Sequence, residues 1–234
     1  MVTPTDGGAE AGPDGAALSL LLAWFSPSFP VGAFAYSHGI ERLEADGAVR
    51  DRASTEAAVR LALTDGSGRT DAILLAHAFR AASARDEAAL EEIRLLAVAL
   101  APTAERHTEA IRQGNAFAGL LDAVWPGAFA LSERGDMPVP VAAGAAGALH
   151  GVPLPPLAHA YLSAFVANLV SAAVRLVPLG QTDGQRITAA LMPVVAKVAR
   201  EAVEAPLEDV GGAAIGLDLA SMRHECQEVR LFRS

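Results

Sequence analysis

The sequence contains a single cysteine, Cys226, in 234 residues. That excludes an intrachain disulfide framework and every paired-cysteine motif, including CxxC redox and zinc-ribbon patterns. A reducing cytoplasm suits such a chain. Aromatic residues make up only 5%, which argues against a sandwich or barrel built on aromatic and β-branched strands. Basic residues are outnumbered, 18 against 27 acidic, for a formal charge of −9, and Lys197 is the only lysine. Phosphate binding needs a basic face, so free nucleic acid is not an expected partner. Catalytic signatures are missing as well. The sequence holds no GxxxxGK[ST], no HExxH, no GxSxG and no strand-linked GxGxxG, which removes the common phosphate, zinc-protease, hydrolase and dinucleotide motifs. His38, His77, His107, His150, His159 and His224 stand singly. His224 and Cys226 are the one close pair of soft ligands, and a zinc site takes three or four. A metal site within one chain is therefore not expected; one shared between chains stays open.

What the sequence does have is apolar and small. Hydrophobic residues make up 52%, and about fifty residues are alanine, the strongest helix former. At this length one domain buries about 70–75% of its unfolded surface, so no covalent staple is needed. Proline and glycine cut the chain into helix-length pieces: Leu18–Phe25, Ala33–Ala45, Ser54–Thr64, Arg69–Arg85, Glu87–Leu100, Thr103–Val124, Val141–Leu149, Pro156–Val177 and Thr182–Val203, then a short helix and tail. No stretch alternates apolar and polar for long enough to make a strand. The expectation is an all-α, single-domain bundle of roughly eight to ten helices with no significant sheet. Its organisation reads as a flexible N-terminal tail over 1–17, a helical domain over 18–205, and a C-terminal helix with a partner-binding tail over 206–234.

Residues 1–17 carry no basic residue, so Leu18–Phe25 is a poor signal peptide. Leu157–Val177 is long and apolar enough to span a bilayer. It nevertheless contains His159, Asn168 and Arg175 and lacks a flanking basic cluster, which favours a buried core helix and no membrane. Thr182 and Gln185 have the spacing of a capping box, and Pro193 falls inside the helix that follows. Gly66, Gly68, Gly144 and Gly147 read as turn and helix-packing glycines, not as phosphate cradles.

Three segments carry more chemistry than packing requires. The first, Phe29–Glu41, places Tyr36, Ile40 and Leu43 on one face, with Gly39 mid-helix, where glycine costs about 1 kcal/mol and commonly admits a close neighbour. In the second, Tyr161, Asn168 and Arg175 recur every seven residues along one stripe of an apolar helix. That stripe is either a polar seam or a homodimer contact, and spacing alone does not choose. The third, Ser221–Ser234, ends in Arg230-Leu231-Phe232-Arg233, an aromatic anchor between guanidinium forks of the kind enriched at interface hot spots.

Together these segments resemble the UreF family of urease accessory proteins. Pro30-Val-Gly-Ala-Phe-Ala-Tyr-Ser-His-Gly-Ile-Glu41 is similar to its N-terminal motif. Asn168–Gln181, continuing to Arg186, is similar to its central motif, and Ser221–Ser234 to its terminal signature. The resemblance implies an all-helical, homodimeric, non-enzymatic cytoplasmic chaperone with no permanently bound cofactor. Its role would be to bridge UreD on the urease apoprotein and the GTPase UreG while nickel passes transiently through the complex. Residue by residue, it implies UreD contact for Arg223, Arg230, Leu231, Phe232, Arg233 and Ser234. Tyr36, with Ser37, His38, Gly39 and Glu41 of the same motif, is implied to support the tail or a partner interface. Tyr161 and Asn168 are implied in dimer contact, and Arg175, Gln181 and Gln185 belong to the central core motif. The alternative is a regulator of UreG hydrolysis, since an inserted arginine accelerates GTP hydrolysis greatly.

Overall fold

Alanine and glycine let the two central helices sit against each other almost without side chains between them. A computed structural model describes residues 14–127 and 130–234. Among these, ten α-helices follow one another and there is no strand: α1 Gly15–Trp24, α2 Ile40–Ala45, α3 Arg52–Thr64, α4 Ser67–Ala84, α5 Glu87–Ala99, α6 Ala104–Val124, α7 Val139–Leu149, α8 Leu154–Leu176, α9 Gln181–Glu204 and α10 Ile215–His224. The all-α expectation holds. Helix α7, Val-Pro-Val-Ala-Ala-Gly-Ala-Ala-Gly-Ala-Leu, is buried from Pro140 to Gly147 and packs along α4. A methyl group added at Gly144 would collide with the main-chain carbonyl of Leu75, and one at Gly147 with the side chain of Leu157. These are the packing glycines the sequence suggested.

Aromatic residues are few, and six of the twelve are gathered in one place. Trp24, Phe25, Phe29, Phe117, Trp125 and Tyr161 meet edge-on or stacked, with ring centroids 5.1 to 6.4 Å apart, each pair adding about 0.5–1.5 kcal/mol beyond area burial. The cluster fixes α1 and the loop after it to α6 and α8. Helix α8 is the one helix among the described residues long and apolar enough to cross a bilayer, and 56% of its most apolar window is buried inside the fold.

Several local expectations need correction. The expected flexible tail lies outside the described residues up to position 13; from Gly15 onward the chain is helical, because Asp14 caps α1 by accepting from the Ala17 amide at 2.8 Å. The single helix expected over Ala33–Ala45 is broken. Ala33–Ala35 form one 3-10 turn, Tyr36 is extended, and His38 and Gly39 take left-handed conformations before α2 begins. Gly39 therefore is not mid-helix but the residue preceding the first turn of α2, at φ 79°. Its admission of a close neighbour does hold, since an added Cβ would stand 2.9 Å from the Ser221 amide nitrogen of α10. The capping box at Thr182 does not form, because α9 starts one residue earlier, after Gly180, and has no side-chain cap. The box is instead at α3, where Asp51 and Ser54 satisfy each other's main-chain donors.

Candidate functional site: a clasped terminal segment beside a cleft

Three carboxylates from two helices hold the last five residues. Glu41, in the first turn of α2, is 6% exposed. It accepts the Leu231 amide at 2.6 Å and the Phe232 amide at 2.8 Å. Glu105, in the first turn of α6, accepts from Arg230 at 2.6 Å. Glu109, one turn further along α6 and 3% exposed, accepts the Ser234 hydroxyl at 2.7 Å. The Ser234 carbonyl accepts from both the amide and the hydroxyl of Ser37, and the Arg233 amide donates to the Ala35 carbonyl. Arg175, from the last turn of α8, donates to the Phe34 carbonyl at 2.7 Å and lays its guanidinium over the Phe232 ring, 4.3 Å from the centroid. Backbone donors meeting ionised acceptors are the stronger class of hydrogen bond, about twice a neutral one.

Two histidines face these carboxylates, and one of them bridges two. His224, wholly buried at the end of α10, faces Glu105 with Nδ1 at 2.7 Å and Glu41 with Nε2 at 3.1 Å. Each ring nitrogen therefore has a carboxylate within hydrogen-bond distance. His38 Nε2 lies 2.8 Å from Glu109. Its left-handed backbone, φ 55°, is what turns the ring inward; histidine is among the residues that tolerate this region best. Burial and then the Arg106 guanidinium hold His38 below its usual range. Glu109 shows the opposite balance. Burial pushes it up, but Arg106, His38 and the Ser234 hydroxyl together bring it down to about 2.

Next to this clasp lies a cleft of ≈ 1490 Å³. Its floor includes Asp71, half-buried on α4, which accepts the Tyr161 hydroxyl at 2.8 Å. Burial raises Asp71 to about 6 even though that hydrogen bond pulls it down; burial, then Asp71, raises Tyr161 well above its ordinary value. The rim is apolar, with Leu22 67% and Phe34 74% exposed. One wall is the small-residue face of α8, including Ser163, Ala167 and Ser171. No group of three or more histidine, cysteine or acidic side chains among the described residues is placed to hold a metal ion.

Comparison with known proteins places this architecture. The UreF family model matches residues 49–192. The chain is 49% identical over 239 residues to the urease accessory protein UreF of Rhodopseudomonas palustris strain BisA53, covering 100% of both chains. It is 48% identical to that of Bradyrhizobium sp. strain ORS 278, over 97% of this chain and 95% of the relative. A UreF of Cereibacter sphaeroides strain ATCC 17025 is 51% identical over 93% and 99%. The chain belongs to the UreF family.

Within this UreF-family chain the motif residues fall into two sets. Ser37, His38, Gly39 and Glu41 all touch the terminal segment, α10 or the carboxylates that hold them, and Tyr36 is buried beside them at 6% exposure. Arg175 joins that set. Of the terminal residues, Phe232 is 3% and Ser234 0% exposed, so both are packed on their own chain rather than displayed. Arg223, which pairs with Asp46 at 3.2 Å, and Arg230, Leu231 and Arg233 face solvent. The stripe on α8 does not act as one seam: Tyr161 is buried, Asn168 half-buried in the cleft wall, and Arg175 exposed. Gln181 and Gln185 of the central motif are exposed on the first turns of α9. His224 and Cys226 do not converge, since the histidine is enclosed and the cysteine exposed. Sequence reading missed Glu105, Arg106, Glu109 and Asp71. The one available signal was the Glu105–Glu109 spacing, which puts both carboxylates on one face of α6.

Proposed function

We propose that this chain is a urease maturation chaperone: a non-enzymatic, homodimeric adaptor in the cytoplasm that bridges UreD on apo-urease and the GTPase UreG during nickel insertion. The observation that carries the reading is likeness along the whole chain to proteins named as urease accessory protein UreF. Nickel is cargo in this scheme, not a resident cofactor. The UreD surface is built on α10 and the clasped terminus, where Arg223, Arg230, Leu231 and Arg233 face outward beside the exposed apolar side chains Ile215, Leu219 and Met222, at 66%, 50% and 47%. Those three recur at i, i+4 and i+7, one unpartnered helical face. The homodimer face is the cleft, where Leu18, Leu22 and Phe34 stand exposed next to the small residues of α8. Small residues let a second helix approach closely, and an apolar rim supplies the area to hold it.

Co-expression with UreD and UreG tests this. A single assembly containing two copies of each is expected on sizing. Shortening the chain to Val229 is expected to remove UreD while the helical content persists. Failure to co-purify with UreD at full length overturns the proposal. Measuring UreG turnover in the same preparation separates scaffolding, which predicts no large acceleration, from a GTPase-regulating role.

A further inference from the structure

The terminal segment is held the way a bound peptide is held. Its side-chain-mediated hydrogen bonds join residues 125 to 197 positions apart, and none of these partners belongs to α10, the helix it follows. Alternate residues are read. Arg230, at the rim with its side chain 39% exposed, reaches Glu105, Phe232 is enclosed under Arg175, and Ser234 reaches Glu109, while Leu231 and Arg233 point to solvent. Between them the main chain is read at Leu231, Phe232, Arg233 and Ser234 by Glu41, Ala35 and Ser37. Alternating pockets plus main-chain hydrogen bonds are the mode by which extended peptides are recognised. One charge pair joins ligand and groove, Arg230 on Glu105, while Glu41 takes main-chain amides and Glu109 takes Ser234 with Arg106 beside it. The link from α10 is short and open: Glu225, Cys226, Glu228 and Val229 are exposed, Val229 by 84%.

We propose that residues 34–41, Glu105, Glu109 and Arg175 form a peptide-recognition groove, and that it takes the Arg230–Ser234 segment of a second copy of this chain when its own is withdrawn. The second copy is the occupant because the one segment that fills the groove is this chain's own: an arginine, an enclosed aromatic and a serine at alternate positions. The partner copy then contributes three side chains without which the groove is incomplete. In the intact chain the tether keeps the local segment at an effective concentration on the order of millimolar, so exchange occurs only when the local copy is weakened or engaged elsewhere. Segment exchange between identical chains is a low-cost route of this kind.

A labelled peptide spanning Gln227–Ser234, standing for a second copy's tail, tests the proposal by fluorescence anisotropy against three full-length proteins. Wild type, its groove filled, is expected to bind weakly. The double variant Arg230→Ala, Phe232→Ala, with its own segment weakened and its groove intact, is expected to bind at least tenfold more tightly. Adding Glu41→Gln to that variant is expected to cost at least tenfold. Equal affinities for the three proteins, or no binding to the double variant while its helical circular dichroism matches wild type, overturn the proposal. Hydrogen exchange on the wild-type chain decides the matter if the variants do not fold. The Phe232 amide is expected to exchange well ahead of α4 and α7, and faster still with excess unlabelled peptide; exchange only together with those helices refutes an exchangeable segment. The test uses this chain and its peptide alone, so its outcome is independent of the urease reading.

Discussion

Replacing Glu41 with glutamine removes one charge from the centre of the clasp and leaves the side-chain shape intact. In the wild type its two oxygens accept the successive amides of Leu231 and Phe232, and Oε2 also faces His224. Glutamine keeps one acceptor and turns an NH₂ donor toward the other amide, so one charge-assisted hydrogen bond worth about 1.5–3 kcal/mol is lost outright. The second is weakened to a neutral bond, and His224 retains only Glu105 as an ionised partner. A net loss of about 3 kcal/mol follows, within the range for breaking a buried charge pair. The last five residues take their hydrogen bonds from the 35–41 segment and α6 and not from α4 or α7, so undocking them is the expected response. The penalty therefore appears as local opening rather than global unfolding. Each 1.4 kcal/mol is a factor of ten, so amide exchange at Leu231 and Phe232 is expected to accelerate about 100-fold in Glu41→Gln while exchange in α4 and α7 is unchanged. Unchanged exchange at these two amides would refute the assignment of Glu41 as the residue that holds the segment. Equal acceleration throughout the chain would refute the separation of clasp from core.

Other consequences concern the core and its buried acids. Gly144→Ala drives a methyl group into the Leu75 carbonyl and is expected to destabilise by about 3 kcal/mol or more, because backbone cannot step aside as a side chain can; urea unfolding measures it. Asp71 is raised from 3.8 to about 6, so its ionisation opposes folding as pH climbs through that interval. Asp71→Asn, which keeps an acceptor for Tyr161, is expected to be about 1–2 kcal/mol more stable than wild type near pH 7.5, a figure reduced for water in the cleft, and equal to it below about pH 3.5. Glu109 is lowered from 4.5 to about 2, so its charge favours folding fully above pH 4.5, and that contribution is lost as pH falls toward 2. About 3 kcal/mol is expected to disappear across this window in wild type and to be absent from the pH dependence of Glu109→Gln, as read by denaturant titration.

Much of the helical framework is written in the punctuation. Pro102 and Pro126 bracket α6, and Thr103, read as a helix start, caps it by accepting from the Arg106 amide. The N-terminal motif misled because its backbone turns on two consecutive left-handed residues, His38 and Gly39; helical spacing of Tyr36, Ile40 and Leu43 looks the same whether the chain between them is continuous or broken. The capping box at Thr182 failed for a similar reason, since the motif fixes a spacing but not which residue takes the extended conformation at the helix start. The clasp was legible only on one side. Phe232 and Arg230 announce an anchor, yet Glu105 and Glu109, which hold Arg230 and Ser234, sit in an ordinary charged helix more than a hundred residues away, and their shared helix face does not by itself distinguish them from solvated acids. In sequence His224 has only Cys226 as a soft neighbour, whereas its partners are brought by α2 and α6. Local pattern announces the ligand; tertiary structure supplies the groove.

The most direct measurement is urease activation in cells that carry a urease operon lacking its own UreF, supplied with nickel. The full-length chain is expected to restore urease activity, and the chain ending at Val229, expressed to the same level, is expected to leave urease inactive. No restoration by the full-length chain, or full restoration by the shortened one, would contradict the account.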